Sequence, residues 1–248
     1  MIERTQEGPI AILRMAHGKA SALDLEFLGE LLNALEEEQA GDCSGVVMTG
    51  TGKIFSAGVD LNRILEGPAY VAEFIPALNR FLWALAEFEK PTVAAINGHA
   101  IAGGCVIACA ADRRIMVDDG ATIGVPELLV GVPFPPSALE VLRVALPANS
   151  LREVTLTGRS YSPSGALSKG LVDELTPKDD LISKALQVAN QMADVPTASF
   201  LATKQQIWAP YRTRARKDVE QELVKIWSLP EVQANISAFI KKTLGRKS

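Results

Sequence analysis

Two glycine-rich segments of this 248-residue chain carry residue types that could present backbone amides to a ligand. Residues 50–61, GTGKIFSAGVDL, follow the apolar run 46–48, and residues 97–105, NGHAIAGGC, follow the apolar run 91–96. If the two runs are neighbouring strands, the segments can aim two N–H groups at one point, which is how an oxyanion hole is built. Small residues suit this role because they let a ligand approach the backbone closely.

The first segment also invites comparison with phosphate-binding loops, but its spacing excludes them. A P-loop would need glycine at Val47 and a hydroxyl group at Ile54, and a dinucleotide fingerprint would need glycine at Phe55. A Gly-x-Ser-x-Gly nucleophile elbow is absent from the sequence. Kinase, dehydrogenase and serine hydrolase functions are therefore not supported.

The elements that must position these segments follow from hydrophobic periodicity. Apolar runs predict buried strands, and leucines or phenylalanines at helical spacing predict helices. The predicted strands are 10–14, 45–49, 91–96, 114–117, 121–123 and 172–175, and the predicted helices include one capped by Asp24 and others over 70–88, 102–111, 137–146 and 163–169. We expect Ser150 to cap a further helix and the proline-rich stretch 125–136 to be a loop.

Strands separated by helices predict an α/β core, and the purely helical pattern beyond about residue 178 predicts a helical C-terminal part. We divide the chain into a core, residues 1–195, and a C-terminal helical subdomain, residues 196–248. The subdomain is expected to serve in oligomerisation and as a lid. Its predicted helices cover 199–207, 215–226 and 232–242.

Composition narrows the range of functions. The chain has 25 basic and 29 acidic residues, a net charge of −4, three cysteines and two histidines. This balance gives no reason to expect nucleic acid as a partner, and the cysteines and histidines are too few for a disulfide framework or a zinc site. The chain has no apolar run of about 18 residues, and its first residues are polar. We expect a cytoplasmic protein without a metal.

The glycine-rich segments belong to a longer series of motifs. They are FSAGVDL at 55–61, PTVAAINGHAIAGGC at 91–105, ADRRI at 111–115, PELLVGV at 126–132, LTG at 156–158 and GLVD at 170–173, preceded by KASAL at 19–23. In this order they resemble the crotonase family, the enoyl-CoA hydratase/isomerase superfamily, over most of the chain.

The resemblance implies acyl-CoA thioester chemistry on a spiral of repeated ββα units with a C-terminal helical subdomain. It also implies assembly as a homotrimer or a dimer of trimers. Coenzyme A would be part of the substrate, so no separate cofactor is expected. The oxyanion donors would be the N–H groups of Val59 and Gly103. The residues expected along the CoA nucleotide are Lys19, Ala20, Ala22, Ala57, Asp60 and Leu61.

The resemblance also indicates which carboxylate would react. Hydratases of this family have two glutamates, whereas this chain has Glu127 at one of the positions and Val106 at the other. A single carboxylate suffices to move a double bond from the 3 to the 2 position through a dienolate. Leu128, Pro133 and Phe134 would supply a dry wall that raises the pKa of Glu127. An enoyl-CoA isomerase is therefore predicted.

Two alternatives remain open. The first is an enoyl-CoA hydratase or another thioester-enolate reaction, with Glu140 or a water molecule supplying the missing group. The second is a non-catalytic family member that binds CoA thioesters or RNA. Basic residues between 212 and 217 and between 241 and 247 favour RNA, and the acidic balance of the whole chain opposes it. His99 and Asp112 are expected to have structural roles.

Overall fold

The computed structural model describes residues 1–214 and 217–244. Over these residues the chain forms a central parallel sheet, two smaller sheets and surrounding helices. The strands are β1 (Ile2–Glu7), β2 (Ile10–Met15), β3 (Ala22–Leu23), β4 (Gly45–Thr49), β5 (Ile54–Ser56), β6 (Gly58–Val59), β7 (Thr92–Ile96), β8 (His99–Ile101), β9 (Arg113–Val117), β10 (Ile123–Gly124), β11 (Ser160–Tyr161) and β12 (Glu174–Thr176).

Helices follow most of the strands. They are α1 (Leu25–Ala40), α2 (Leu61–Ile64), α3 (Pro68–Ala86), α4 (Gly103–Ala110), α5 (Glu127–Val130), α6 (Pro136–Ala145), α7 (Ala148–Thr157), α8 (Pro163–Lys169), α9 (Leu181–Ala193), α10 (Thr197–Arg212), α11 (Lys217–Trp227) and α12 (Pro230–Leu244). In the described part of the chain, none is both long enough and apolar enough to cross a membrane.

The central sheet has the strand order β1-β2-β4-β7-β9-β12, and all its pairs are parallel except β1 with β2. Every residue of β4 and β7 is buried, as expected for parallel strands covered on both faces. Because β4 and β7 are parallel neighbours, they end at the same edge of the sheet. The two glycine-rich segments therefore start side by side.

The smaller sheets hold the two segments together beyond that edge. Strand β5 from the first segment and β8 from the second pair in parallel, and β8 continues to β10 and β11. Strand β6 pairs in parallel with β3, which lies just before α1. The conformation of the first segment is thus fixed from both sides.

Most predicted elements are present within a few residues of their expected bounds. Asp24 caps α1, and its Oδ1 accepts a hydrogen bond of 2.7 Å from the Phe27 amide. The Ser150 prediction was wrong, because α7 begins at Ala148 after Pro147, and Ser150 lies buried in its first turn. The stretch 125–136 is not all loop, because α5 forms one helical turn within it.

The C-terminal helices lie against the core of the same chain. On α10, Lys204 is 4% exposed, and its Nζ lies 2.9 Å from Oδ2 of Asp112. On α11, the Trp227 indole donates to the Pro133 carbonyl. The division at residue 195 stays a prediction. Residues 215–216 and 245–248, which include the start of one predicted helix and part of the basic tail, lie outside the described residues.

Candidate active site

A cavity of about 100 Å³ lies where the two glycine-rich segments meet helix α5 and the C-terminal helices. Its lining residues come from four parts of the chain. They are Ala57, Val59 and Leu61 from the first segment, Ile101 and Ala102 from the second, Pro126, Glu127, Val130 and Val132 around α5, and Trp227 and Phe239 from α11 and α12.

The first segment is held by a short chain of hydrogen bonds through a buried serine. The Ser56 hydroxyl donates to the Ser21 carbonyl at 2.7 Å and accepts from the Gly58 amide at 3.2 Å. Gly58 has φ of +79°, and a Cβ atom there would stand 2.8 Å from the Gly103 nitrogen. Only glycine fits this position, and its absent side chain lets the two segments touch.

The pairing of β6 with β3 holds Val59 in place. The amides of Ala57 and Asp60 donate to the carbonyls of Ala20 and Leu23, each at 2.9 Å. Val59 lies between these two bonds and lines the cavity. A Cβ atom on Gly103 would stand 3.7 Å from the Val59 nitrogen, so the two expected donors lie close together.

The second segment presents an amide at a helix N-terminus. Ala102 has φ of +51° and ψ of −126°, a strained conformation for a residue with a Cβ atom. Its amide donates to the Gly124 carbonyl at 2.8 Å, and α4 begins at the next residue, Gly103. The first amide of a helix has no partner within the helix. In the described chain, Ser21 is the other non-glycine residue with positive φ, so strain concentrates around this site.

Glu127 is the first residue of α5 and points into the cavity. It is 7% exposed, and its Oε2 atom has no hydrogen-bond partner among the described residues. Burial among apolar side chains raises the pKa of Glu127 to about 8, although a hydrogen bond from its own backbone works in the opposite direction. A carboxyl group with this pKa can both accept and return a proton near neutral pH.

The chain is similar to known proteins along nearly its whole length. The family model described as enoyl-CoA hydratase/isomerase matches residues 5–243. The chain belongs to this family. Rat mitochondrial enoyl-CoA delta isomerase 1 is 30% identical over 254 residues, covering 100% of this chain and 88% of the rat protein. Carnitinyl-CoA dehydratase of Shigella flexneri is 33% identical over 224 residues, covering 88% of this chain and 82% of the bacterial protein.

The structural comparison gives the same fold. The crystal structure of human mitochondrial delta3-delta2-enoyl-CoA isomerase matches with a TM-score of 0.95 and 26% identity, covering 100% of this chain and 99% of the human chain. The predicted crotonase-like fold is confirmed. Because the relatives include an isomerase and a dehydratase, membership of the enoyl-CoA hydratase/isomerase family does not by itself choose the reaction.

The structure brings some of the residues expected along the CoA nucleotide to the cavity and leaves others outside it. Ala57 and Leu61 line the cavity, whereas Lys19 is exposed on the preceding turn, and Ala20 and Ala22 are half-buried beside it. Asp60 is half-buried, and its Oδ1 accepts a hydrogen bond from the Asn62 amide at 2.9 Å, which caps α2.

The apolar wall beside Glu127 is formed by residues other than the predicted ones. Leu128, Pro133 and Phe134 line a separate apolar groove of about 390 Å³ rather than the cavity. Leu128 follows Glu127 within α5, where consecutive residues of a helical turn point in different directions, whereas Pro133 and Phe134 lie beyond the end of α5. The wall around Glu127 is formed instead by Val130, Val132, Trp227 and Phe239.

Three further residues considered in the sequence lie away from the cavity. Val106 is 1% exposed within α4 and does not line the cavity. His99 is half-buried, and its Nδ1 lies 2.9 Å from the Thr122 hydroxyl. Asp112 accepts hydrogen bonds from the Thr92 amide and hydroxyl at 2.8 Å. The structural roles expected for His99 and Asp112 agree with these bonds.

Sequence reasoning missed Trp227 and Phe239. Both lie more than 90 residues beyond Glu127, on helices whose pattern resembles ordinary amphipathic surface helices. A signal exists for Trp227, because the residues Val219, Leu223 and Trp227 recur every four positions on one face of α11. The sequence does not indicate what that face covers.

Proposed function

We propose that the protein is an enoyl-CoA isomerase that moves a 3-enoyl double bond to the 2 position, with Glu127 as its acid and base. One observation carries the proposal: Glu127 has the only titratable side chain among the described residues that line the cavity. A double-bond shift needs a single group that removes a proton and returns it two carbons away. The similarity to the rat and human isomerases supports the same reaction.

The reaction balances with the residues of this chain. Glu127 takes the proton from C2, the electrons of that C–H bond form a C1–C2 double bond, and the π electrons of the carbonyl group move to the thioester oxygen. In the second step the carbonyl group re-forms, the C1–C2 π electrons become the C2–C3 double bond, and the electrons of the original C3–C4 double bond take the proton from Glu127 at C4. Between the two steps, the negative charge rests largely on the thioester oxygen. The amides of Val59 and Gly103 would bind that oxygen, and each such donor is worth about 2.7–4 kcal/mol in comparable sites.

Hydration requires a second polar group, which the described wall of this cavity lacks. Water addition requires a group that positions and activates water as well as one that handles the proton at C2. Besides Glu127, the described wall consists of apolar residues. Glu140 lies in the neighbouring groove instead. The similarity to a carnitinyl-CoA dehydratase keeps hydration as the second candidate, and so the experiment measures both reactions.

The CoA moiety extends outside the cavity in this proposal. Ala57 and Leu61 line the cavity, and Lys19, Ala20, Ala22 and Asp60 follow the adjoining surface. A nucleotide there would have access to the exposed ammonium group of Lys19. The C-terminal helical subdomain would act as a lid, because Trp227 and Phe239 contribute to the wall of the cavity.

The test supplies the 3-enoyl and 2-enoyl CoA thioesters of one six-carbon acyl group and follows the products by chromatography. We expect isomerisation of the 3-enoyl thioester, a loss of about 10³-fold in Glu127→Gln, and a change of less than about threefold in the matched control Glu140→Gln. Hydration of the 2-enoyl thioester without isomerisation, retained in Glu127→Gln, would contradict the proposal. Binding without turnover of either thioester would favour the non-catalytic alternative.

A further inference from the structure

The catalytic cavity is small for an acyl-CoA site. Its volume is about 100 Å³, whereas an apolar cavity of about 150 Å³ holds one benzene molecule of six carbon atoms. The thioester carbon and the carbons at which the double bond moves must fit within this space. On this scale the cavity has room for the reacting carbons of an acyl group and for little beyond them.

Trp227 limits the cavity on the side of the C-terminal helices. Its side chain is 1% exposed, and its indole Nε1 donates to the Pro133 carbonyl at 3.0 Å. Its own carbonyl accepts from Gln233 Nε2 at 2.7 Å. The ring is thus fixed both through its side chain and through the backbone of the turn that joins α11 to α12.

A larger apolar space lies next to the cavity. The groove of about 390 Å³ includes Leu223, one turn before Trp227 on α11, and Pro133, which immediately follows Val132 of the cavity wall. Helix α11 therefore lines the groove with Leu223 and the cavity with Trp227. The segment after α5 lines the cavity with Val132 and the groove with Pro133. Trp227 itself lines only the cavity, and its hydrogen bond joins it to Pro133, which lines the groove.

We propose that Trp227 sets the acyl-chain length of the reaction and that the substrates are thioesters of short acyl groups, about four to six carbons long. The inference depends on the proposed isomerase function for its assay, but the length limit itself concerns acyl-CoA binding. Shortening the Trp227 side chain connects the cavity with the groove, whose leucine, proline and phenylalanine side chains can accommodate the methylenes of a longer chain.

The expected size of the effect follows from methylene transfer. Each methylene moved from water into an apolar site raises affinity by about fourfold. A chain that must displace Trp227 forgoes this gain and loses the packing of a buried indole. The wild-type protein should therefore prefer six-carbon over twelve-carbon 3-enoyl-CoA by at least about tenfold in kcat/KM.

The experiment measures kcat/KM for 3-enoyl-CoA thioesters of six, eight and twelve carbons with the wild type, Trp227→Leu and Trp227→Phe. In Trp227→Leu, the ratio of twelve-carbon to six-carbon kcat/KM should rise at least about tenfold. Trp227→Phe removes the indole N–H but keeps most of the bulk, so the ratio should stay within about threefold of the wild type. Trp208→Leu is the matched control, because Trp208 is similarly buried, at 5% exposed, but lies outside the cavity.

Calorimetric binding of saturated six-carbon and twelve-carbon acyl-CoA separates this inference from the proposed function. If no thioester is isomerised, the proposed function fails, and the binding series still tests the length limit. Equal binding and turnover of six-carbon and twelve-carbon thioesters by the wild type would overturn the inference even if Trp227→Leu did not fold. An unchanged ratio in a folded Trp227→Leu protein would overturn it as well.

Discussion

Glu127 and Glu140 are two equally buried glutamates with opposite surroundings. Each is 7% exposed, and in each the Oε2 atom has no hydrogen-bond partner in the described part of the chain. Around Glu140, Arg143 Nε lies 3.2 Å from Oε1, and Arg214 Nη1 lies 3.8 Å from Oε2. Around Glu127 the described residues of the cavity wall supply apolar side chains and no cation.

Burial alone therefore does not make a glutamate a suitable base, because Glu127 and Glu140 are equally buried. The Glu140 carboxylate has two arginines within ion-pair distance. A buried carboxyl group without a cation prefers its neutral form, and this preference raises its pKa and makes its anion a stronger base. A catalytic carboxylate must also lie beside the glycine-rich segments. Glu127 lines the same cavity as these segments, whereas Glu140 lines the separate groove.

The largest expected effect is on stability as a function of pH. The pKa of Glu127 is about 8 in the folded protein, against the ordinary 4.5. The folded state therefore binds more protons than the unfolded state between these values, and stability falls as pH rises through this window. The loss should be on the order of 4 kcal/mol. Relative to the wild type, Glu127→Gln should gain most of this amount between pH 5 and pH 9, as measured by urea unfolding.

Glu140→Gln is the matched control for that measurement. It removes a carboxylate of equal burial but also breaks contacts with Arg143 and Arg214, so it should destabilise the protein by a similar amount at every pH from 6 to 9. A parallel pH dependence in all three proteins would mean that Glu127 ionises in its cavity as freely as in water.

The next effect in size is the pH dependence of catalysis. Because Glu127 must be ionised to remove a proton, kcat/KM for the six-carbon 3-enoyl thioester should rise about tenfold per pH unit from pH 6 and level off near pH 8. Glu140→Gln should keep the same midpoint. A flat profile from pH 6 upwards would show that the free enzyme already carries the anion at pH 6.

The fold was predictable to the extent that its elements are long and periodic. Strands β4 and β7 and helices α1 and α3 carry strong apolar patterns, and their predicted bounds agree closely with the structure. Strands β6 and β8 have two and three residues, too few for any periodicity, and they form because neighbouring segments pair with them. These short strands hold Val59 and the turn before Gly103 in place, so the sequence suggested the two donors but could not show how they are held.

Only those parts of the candidate site that lie within a single short segment could be predicted from the sequence. The glycine-rich segments and Glu127 belong to local motifs, so they could be found without knowing the fold. The apolar wall required knowledge of α5, whose turn sends Glu127 and Leu128 into different spaces. Trp227 required knowledge of how α11 lies on the core. The local pattern of α11 places Trp227 on one face of the helix with Val219 and Leu223, but it does not indicate that this face meets Glu127.

The smallest expected effect comes from the cations beside Glu140. Arg143 is 41% exposed in its side chain, and its contact with Glu140 is a helical i, i+3 pair. Solvent screens such a pair, so Arg143→Met should cost less than about 1 kcal/mol in urea unfolding at pH 7 and leave isomerisation unchanged. Arg214 remains within ion-pair distance of Glu140 in this variant. A loss above about 2 kcal/mol would mean that one cation does not compensate the buried carboxylate, and that Glu140 resembles Glu127 more than its surroundings suggest.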